Sequence, residues 1–267
     1  MKDDKQNYTQ ANREAWNMAM PKHREVMNEK WDAMFSDPKF IFQAGDELRF
    51  LEEIGVRGKN IAHLSCNNGI ELMSLVRMGA GECVGFDICD EAIADAETRA
   101  KEFGIECEFL RTDVLELPEE YFGRFDMVYI TVGALVWIPD LRGYFEVASK
   151  LLAPGGVLFI YEHHPYAGIF PYDGEPGETL RAKYNYFDEE IFVGREGIDY
   201  YGGTVYESPP AYEFPYTISD LINVVISAGF GIAAFHEFPK DIAKGHAELE
   251  KAGLKLPLSY ILIARKQ

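Results

Sequence analysis

Asp87 closes a short apolar run, Cys83–Phe86, and stands about 20 residues beyond a polar loop, Ser65-Cys66-Asn67-Asn68-Gly69. A carboxylate placed there can accept two hydrogen bonds from the vicinal hydroxyls of a ribose. The elements that must hold it lie on either side of the loop. Asn60–Leu64 supplies an apolar strand and Ser65–Gly69 a tight turn, while Leu72, Leu75, Val76 and Met78 form the inner stripe of an amphipathic helix that leads back to Cys83–Phe86. Strand, loop, helix, strand and acid make the layout of a nucleoside-binding βαβ unit. The same residues also suit an ordinary strand-to-helix turn followed by a satisfied carboxylate, and the loop alone does not separate the two.

The glycines of the loop bear on which nucleoside it could hold. A dinucleotide site needs G-x-G-x-x-G, because successive glycines let the backbone close on a pyrophosphate at a helix N-terminus. Here Gly69 is the single glycine of the loop. S-adenosylmethionine has no phosphate and asks for less close approach, and Asn67 can take a positive φ at modest cost. The alternation then continues. Glu106–Leu110 reads as a third strand ending at Thr112-Asp113-Val114, and Phe125–Ile130 as a fourth ending at Thr131-Val132-Gly133. Asp140–Leu152 reads as a helix stopped by Ala153-Pro154-Gly155-Gly156, Val157–Tyr161 as the fifth strand, Ile218–Ala228 as a helix ended by Gly229, and Ile232–Phe238 and Leu258–Arg265 as the last two strands. Lys240–Gly253 reads as a charged surface connection.

With these segments the chain resembles the class I S-adenosylmethionine-dependent methyltransferases, and within them a bacterial group of small-molecule-type members. The resemblance rests on HLSCNNGIE (63–71), GFDIC (85–89), FLRTDVLELP (109–118), FDMVYITVGALVWIPDL (125–141), LLAPGGVLFIYEHHP (151–165) and LPLSYILIARK (256–266), and runs over nearly the whole chain. It implies S-adenosylmethionine as cofactor and an α/β, Rossmann-like sheet of seven mostly parallel strands with helices on both faces. It also implies that Ser65, Cys66, Asn67 and Gly69 lie against the methionine part, that Asp87 with Ile88 holds the ribose, and that Thr112, Asp113 and Val114 flank the adenine. Thr131 and Val132 complete the cofactor edge, and Tyr8 and Trp16 belong to a lid above it. Two departures stand out: the family's usual acid in the first strand falls at His63, and its first two loop glycines fall at Ser65 and Asn67. The narrower group often shows His-Leu-x-Cys at that place, so Cys66 is read as a packed loop residue and not as a nucleophile.

Composition fits one enlarged domain. The chain has 267 residues, 47% of them hydrophobic, enough for a single core and short for two. It divides into a helical lid (1–55), a cofactor-binding core (56–162), a cap inserted after the fifth strand (163–216) and the end of the sheet (217–267). The lid should hold helices over Gln10–Met20, Lys30–Phe35 and Ala44–Ile54. The cap carries 13 tyrosines and phenylalanines between Tyr166 and Tyr216, punctuated by Gly174, Pro176, Gly177, Gly202-Gly203 and Pro209-Pro210. A disordered linker would not be so aromatic, so short strands are expected, with Tyr184–Phe187 and Thr204–Glu207 as a hairpin roofing a pocket for a planar or cationic ligand.

The net charge of −18 at pH 7, with no lysine or arginine cluster, argues against a nucleic-acid partner. No apolar run reaches about 18 residues and Met1–Asn7 is too polar for a signal peptide, which gives the expectation of a soluble, cytoplasmic protein with no membrane partner. Cys66, Cys83, Cys89 and Cys107 lack C-x-x-C spacing, so they are read as reduced core thiols and no metal site is expected. His163 and His164, directly after the fifth strand, are the candidates for a catalytic base. Trp137 and His236, among apolar neighbours, are read as packing residues. Three function classes follow: methyl transfer from S-adenosylmethionine to a small molecule by in-line displacement, a non-catalytic cofactor-binding protein, and a nicotinamide-dependent oxidoreductase on a similar sheet.

Overall fold

The computed structural model describes residues 2–172, 180–187, 189–243 and 245–267, with side chains from Lys5 onward. Gly174, Pro176 and Gly177 of the cap lie outside the described residues.

Seven strands form one sheet: β1 (Ile61–Leu64), β2 (Cys83–Asp87), β3 (Glu108–Arg111), β4 (Phe125–Thr131), β5 (Leu152–His163), β8 (Phe230–Phe238) and β9 (Ser259–Lys266). Their spatial order is β3-β2-β1-β4-β5-β9-β8; the first five run parallel and β9 runs antiparallel to both its neighbours. The fully buried strands read as continuous apolar runs because both faces are covered. On one face Val84, Phe86, Val128, Ile130, Leu158 and Ile160 pack with α5 (Leu141–Leu151) and α6 (Ile218–Ser227). On the other, Ile61, Met127, Tyr129 and Phe159 meet α2 (Gly45–Ile54), α3 (Ile70–Arg77), α4 (Asp90–Glu102) and the end of α1 (Lys2–Phe35). Helix α5 starts where Asp140 accepts the Gly143 amide, and α6 starts on a reciprocal Thr217/Asp220 capping box.

Four expectations need correction. The lid segments Gln10–Met20 and Lys30–Phe35 are one continuous 34-residue helix, α1, with Pro21 inside it. A proline there forfeits a backbone bond. Side-chain contacts hold the helix across that gap: Arg13 and Asn17 both bind Asp90, and Arg99 of α4 reaches Asn28 at 2.7 Å. Strand β5 begins at Leu152, not Val157, and its register jumps from Leu152 opposite Phe125 to Val157 opposite Met127, with Pro154-Gly155-Gly156 in the irregular stretch.

The cap hairpin is also elsewhere. Strand β6 (Phe192–Gly194) pairs antiparallel with β7 (Ala211–Glu213), whereas Tyr184 hangs on the Ile169 carbonyl and Thr204 turns about Asp199, whose carboxylate takes the Gly202 and Thr204 amides. Local alternation could not reveal a pairing across 16 intervening residues, from 195 to 210. In the 240–253 segment, α7 (Ala247–Lys251) buries Leu249 with Ala167, Phe170 and Leu258, so this part is more than a surface connection.

Candidate functional site

The strand order reverses between β1 and β4, and it is at such a switch point, outside the carboxyl ends of the strands, that open α/β sheets bind their ligands. The loop there answers the question raised by the missing glycines. Ser65 and Asn67 adopt φ of 55° and 49°, and Gly69 a φ of 70°, so the left-handed backbone is kept with two non-glycine residues in it. Such a conformation costs on the order of 1–3 kcal/mol at a non-glycine position and persists only where the surroundings enforce it. Here the Ser65 hydroxyl lies 3.1 Å from the Tyr144 hydroxyl, Asn67 Oδ1 accepts the Asn68 amide at 2.8 Å, and the Asn67 amide donates to Asp87 Oδ2 at 2.8 Å. At Gly69 a Cβ would fall 2.4 Å from the Phe109 ring, and at Gly85 one would fall 2.8 Å from Cys66 Sγ. Both glycines let the loop fold back onto β2. Cys66 itself is buried, its thiol pushed well up by burial, which suits packing and not nucleophilic chemistry.

Asp87 ends β2 with each carboxylate oxygen held by one backbone amide, Oδ2 by Asn67 and Oδ1 by Cys89 at 2.9 Å. Burial raises its pKa and these amides oppose that rise. Each oxygen keeps a lone pair, and the side chain is half-buried, with Ile88 half-buried beside it. Thr112 donates its amide to the Asp87 carbonyl at 2.8 Å, Asp113 caps a single 3-10 turn by accepting the Leu115 amide, and Val114 is buried. Residues 112–114 thus stand directly beside the end of β2. Thr131 ends β4 and its hydroxyl lies 2.9 Å from His63 Nε2; His63 is fully enclosed, and burial drives its pKa down to about 3, so the imidazole is neutral. Val132 is half-buried at the rim.

Next to this edge stands a residue that the sequence reading did not single out. Glu162, 1% exposed, accepts the amides of Gly133, Leu135 and His163 at 2.7, 3.1 and 2.8 Å and thereby shapes the loop after β4. Burial lifts its carboxyl to about 7 against those amides. The signal was in the sequence: an acid ending an apolar strand, as Asp87 does. The two histidines part company. His164 is buried, its Nδ1 accepts the Tyr166 amide, and its Nε2 lies 3.0 Å from Glu237 without the alignment of a hydrogen bond. Burial lowers its pKa while Glu237 opposes the shift. His163 is half-buried on the same face of β5 as Tyr161, and burial lowers its pKa to about 4.

The lid is pinned to the cap by Asn12, which no sequence signal marked. Its Oδ1 accepts the Tyr212 amide at 2.6 Å and its Nδ2 donates to the Tyr212 carbonyl at 2.9 Å, pairing like a strand edge. Tyr8 lies 4.7 Å from Tyr212, ring centre to ring centre, and Trp16 makes edge contacts with Trp137 at 5.4 Å and Tyr200 at 6.3 Å. Tyr8 and Trp16 therefore belong to the contact between α1, the cap and the loop after β4. Trp137 lies in that contact, while His236 stacks on Phe50 at 4.7 Å, away from it.

Under the cap the side chains combine exposure with enclosure. Tyr172 and Tyr200 are 63% and 58% exposed, yet desolvation by surrounding protein dominates the upward shift of both hydroxyls. Surface depressions bounded by Val76, Cys83 and Cys107, and by Phe187, Tyr216 and Asp220, lie away from the Ser65–Asp87 edge and bear on other parts of the surface. Among the described residues no helix is long and apolar enough to cross a membrane.

Residues 61–156, from β1 into β5, match a family model described as a methyltransferase domain. Over that segment the chain is similar to the methyltransferase domain family. A ubiquinone biosynthesis O-methyltransferase from Cronobacter sakazakii is 31% identical over 105 residues, 39% of this chain and 42% of that protein. A ribosomal protein L11 methyltransferase from Escherichia coli is 27% identical over 150 residues, 52% of this chain and 49% of that protein. The chain thus spans about half the length of these curated relatives. An S-adenosylmethionine dependent methyltransferase from Mesorhizobium loti has the same fold, with a TM-score of 0.58 over 84% of this chain and 99% of that one at 22% identity. S-adenosylmethionine is the cofactor that this family implies, and the residues present suit it. Asp87 offers lone pairs for a diol, the loop carries no phosphate-cradling glycine run, and the half-buried Thr112 and Asp113 border the same edge.

Proposed function

We propose that the protein transfers a methyl group from S-adenosylmethionine to a small-molecule acceptor. The observation that supports this reading most is Asp87, presented at the end of β2 by the Asn67 and Cys89 amides with lone pairs left for a ribose. The cofactor supplies a sulfonium-bound methyl group open to in-line attack by a nucleophile. In this reading Asp87, with Ile88 beside it, holds the ribose hydroxyls; Ser65–Asn67 and Gly69 give the methionine part a firm backbone; Thr112, Asp113 and Val114 bracket the adenine; and Thr131 and Val132 border the reacting end.

The lid and cap contribute by excluding water. Charge spreads out as a sulfonium is consumed, and a dry site favours that change. Tyr8 and Trp16 join α1 to the cap and to the loop after β4, which is the place for such a cover. Much of the rate would come from holding acceptor and methyl at near-attack distance. His163, neutral at physiological pH, can take the proton that the acceptor's nucleophile sheds as it is methylated. His164 is tied to Tyr166 and lies against Glu237, which suits a positioning role for the turn after β5.

A small-molecule acceptor is supported by the ubiquinone-pathway relative, which acts in small-molecule biosynthesis by its name. The charge of −18 weighs against nucleic acid. The test has two parts. Calorimetry should show binding of S-adenosylhomocysteine and none of NADH; the reverse would favour the oxidoreductase reading. Incubation with S-adenosylmethionine and a broad acceptor panel should yield S-adenosylhomocysteine, and binding without turnover across the panel would favour a non-catalytic role.

A further inference from the structure

The cap turns one carboxylate inward with no base to meet it among the described residues. On β7, Tyr212 and Phe214 face α1, their rings 4.7 and 5.5 Å from that of Tyr8. Side chains alternate along a strand, so Ala211 and Glu213 face the other way. Ala211 is 6% exposed, which marks that face as interior. Among the described residues no hydrogen bond or ion pair reaches the Glu213 carboxylate, and burial alone raises its pKa. A carboxylate kept from water without a donor is costly, and a cation is the partner that removes the cost.

The walls around it are of matching chemistry. The Tyr172 hydroxyl feels Glu213, Glu162, Asp241 and Tyr184 around it, and its ring centre is 5.0 Å from that of His246. His163 comes in from β5, near Asp241 and His246, as a neutral imidazole. Lys183 is the cation nearest to these rings that the contacts reveal, and its ammonium sits over the Tyr184 ring, 5.4 Å from the centre.

The shortage of donors continues toward β1. Gln43, 2% exposed, spends its amide N–H groups on the Glu71 carbonyl at 2.9 Å and the Tyr129 hydroxyl at 3.3 Å, which leaves Oε1 without a protein donor; His63 Nδ1 is in the same state. That orientation of the Gln43 amide is fixed, because the Tyr129 proton goes to Glu47 and the Glu71 carbonyl can only accept. At Glu213 the aromatic faces and the unanswered carboxylate favour positive charge. An anion would be repelled, and a neutral acceptor would leave Glu213 as it is.

We propose that the acceptor carries an ammonium group, a protonated amine or a quaternary nitrogen, which Glu213 receives between the Tyr172 and Tyr184 rings. This rests on the methyltransferase reading of the cleft and narrows its substrate class; the ammonium is the recognition handle. The experiment titrates 2-phenylethylammonium, 2-phenylethanol and phenylacetate into the protein, with and without saturating S-adenosylhomocysteine. The ammonium should bind at least ~10-fold more tightly than the alcohol, with the carboxylate weakest, in line with a charge-assisted contact in a partly desolvated site. Glu213→Gln should abolish that preference while the affinity for S-adenosylhomocysteine, bound at the other side of the cleft, stays within about 2-fold. Tyr172→Leu, which keeps the acid and removes a ring, should weaken the ammonium about 5-fold. Equal binding of the three probes, binding of none, a preference for the anion, or an undiminished preference in Glu213→Gln each overturns the proposal. Failure to bind S-adenosylhomocysteine overturns the methyltransferase reading instead, since the ammonium preference is also read in its absence.

Discussion

Two pairs of carboxylates in this molecule differ in how the backbone meets them. Asp87 and Glu162 stand at the carboxyl ends of β2 and β5, with β1 and β4 between them, and the backbone meets both: two amides of Asn67 and Cys89 at the first, three amides of Gly133, Leu135 and His163 at the second. Glu71, in the first turn of α3, is met by its own backbone amide alone, and Glu213, on β7, by no donor among the described residues; burial raises the pKa of each. The first pair is part of what sets the chain's path, because amides that would otherwise be orphaned depend on it. The second pair gives the fold nothing that the contacts reveal. Groups that weaken a fold and persist in a cleft belong to ligand recognition.

Breaking the first pair should have the largest effects. Glu162→Ala leaves three buried amides without an acceptor and should cost on the order of 4 kcal/mol in chemical denaturation; a loss under about 1 kcal/mol would mean that water serves the loop equally well. Asp87→Ala should weaken S-adenosylhomocysteine about 100-fold by calorimetry, the worth of two hydrogen bonds to a charged acceptor. Unchanged affinity would remove the ribose assignment.

Glu47 is intermediate, with one donor from Tyr129, and gives a pH test. Burial holds its carboxyl at about 8 in the fold, against 4.5 as the ordinary value. The folded state therefore binds the proton more tightly, and the stability this contributes is complete below pH 4.5 and is lost as pH rises toward about 8. Glu162 acts in the same sense up to about 7, whereas His63 and His163, lowered to about 3 and 4, oppose it in the acid range. Above the ordinary histidine range of about 6.5 the opposing groups no longer titrate. Thermal stability should then fall from neutrality to pH 8, by on the order of 1–2 kcal/mol, and Glu47→Gln should flatten the fall. A wild-type profile that rises over that interval would show Glu47 to be ionised.

The second pair should respond the other way. Glu71→Gln should leave the ligand-free protein equally stable or stabilise it by up to about 1 kcal/mol in denaturant titration, since it removes a charge that only its own backbone amide offsets; a marked loss would reveal a further partner and place Glu71 with Asp87 and Glu162. Smallest of all is Arg13→Ala. The Arg13–Asp90 pair is two-pronged but partly solvated, so its loss should cost under about 1 kcal/mol and less at high salt.

The strands and the helices α3, α5 and α6 were legible because their burial is written in local periods: continuous apolar runs for strands covered on both faces, and a 3.6-residue stripe for helices covered on one. Asp87 was legible for the same reason, an acid at a fixed distance from a loop. Glu162 was legible in principle by the same rule and went unmarked. The cap was a different case. Its aromatics announced an ordered region, but the pairing of β6 with β7 depends on residues far apart in sequence, and nothing in Tyr184–Phe187 or Thr204–Glu207 shows that their own backbones bond elsewhere.

By itself, then, the sequence determined the strands and helices of the α/β sheet in their succession along the chain, the loop after β1 and the acid that ends β2, since each follows from composition over a few consecutive residues. The tertiary structure alone decided that Ser65 and Asn67 take the glycine conformation, that α1 runs unbroken past Pro21, that Asn12 closes lid onto cap, and that Glu213 faces inward. Those outcomes hang on contacts between residues separated by up to 200 positions, where local preference is too weak to choose and the energy of long-range packing makes the choice.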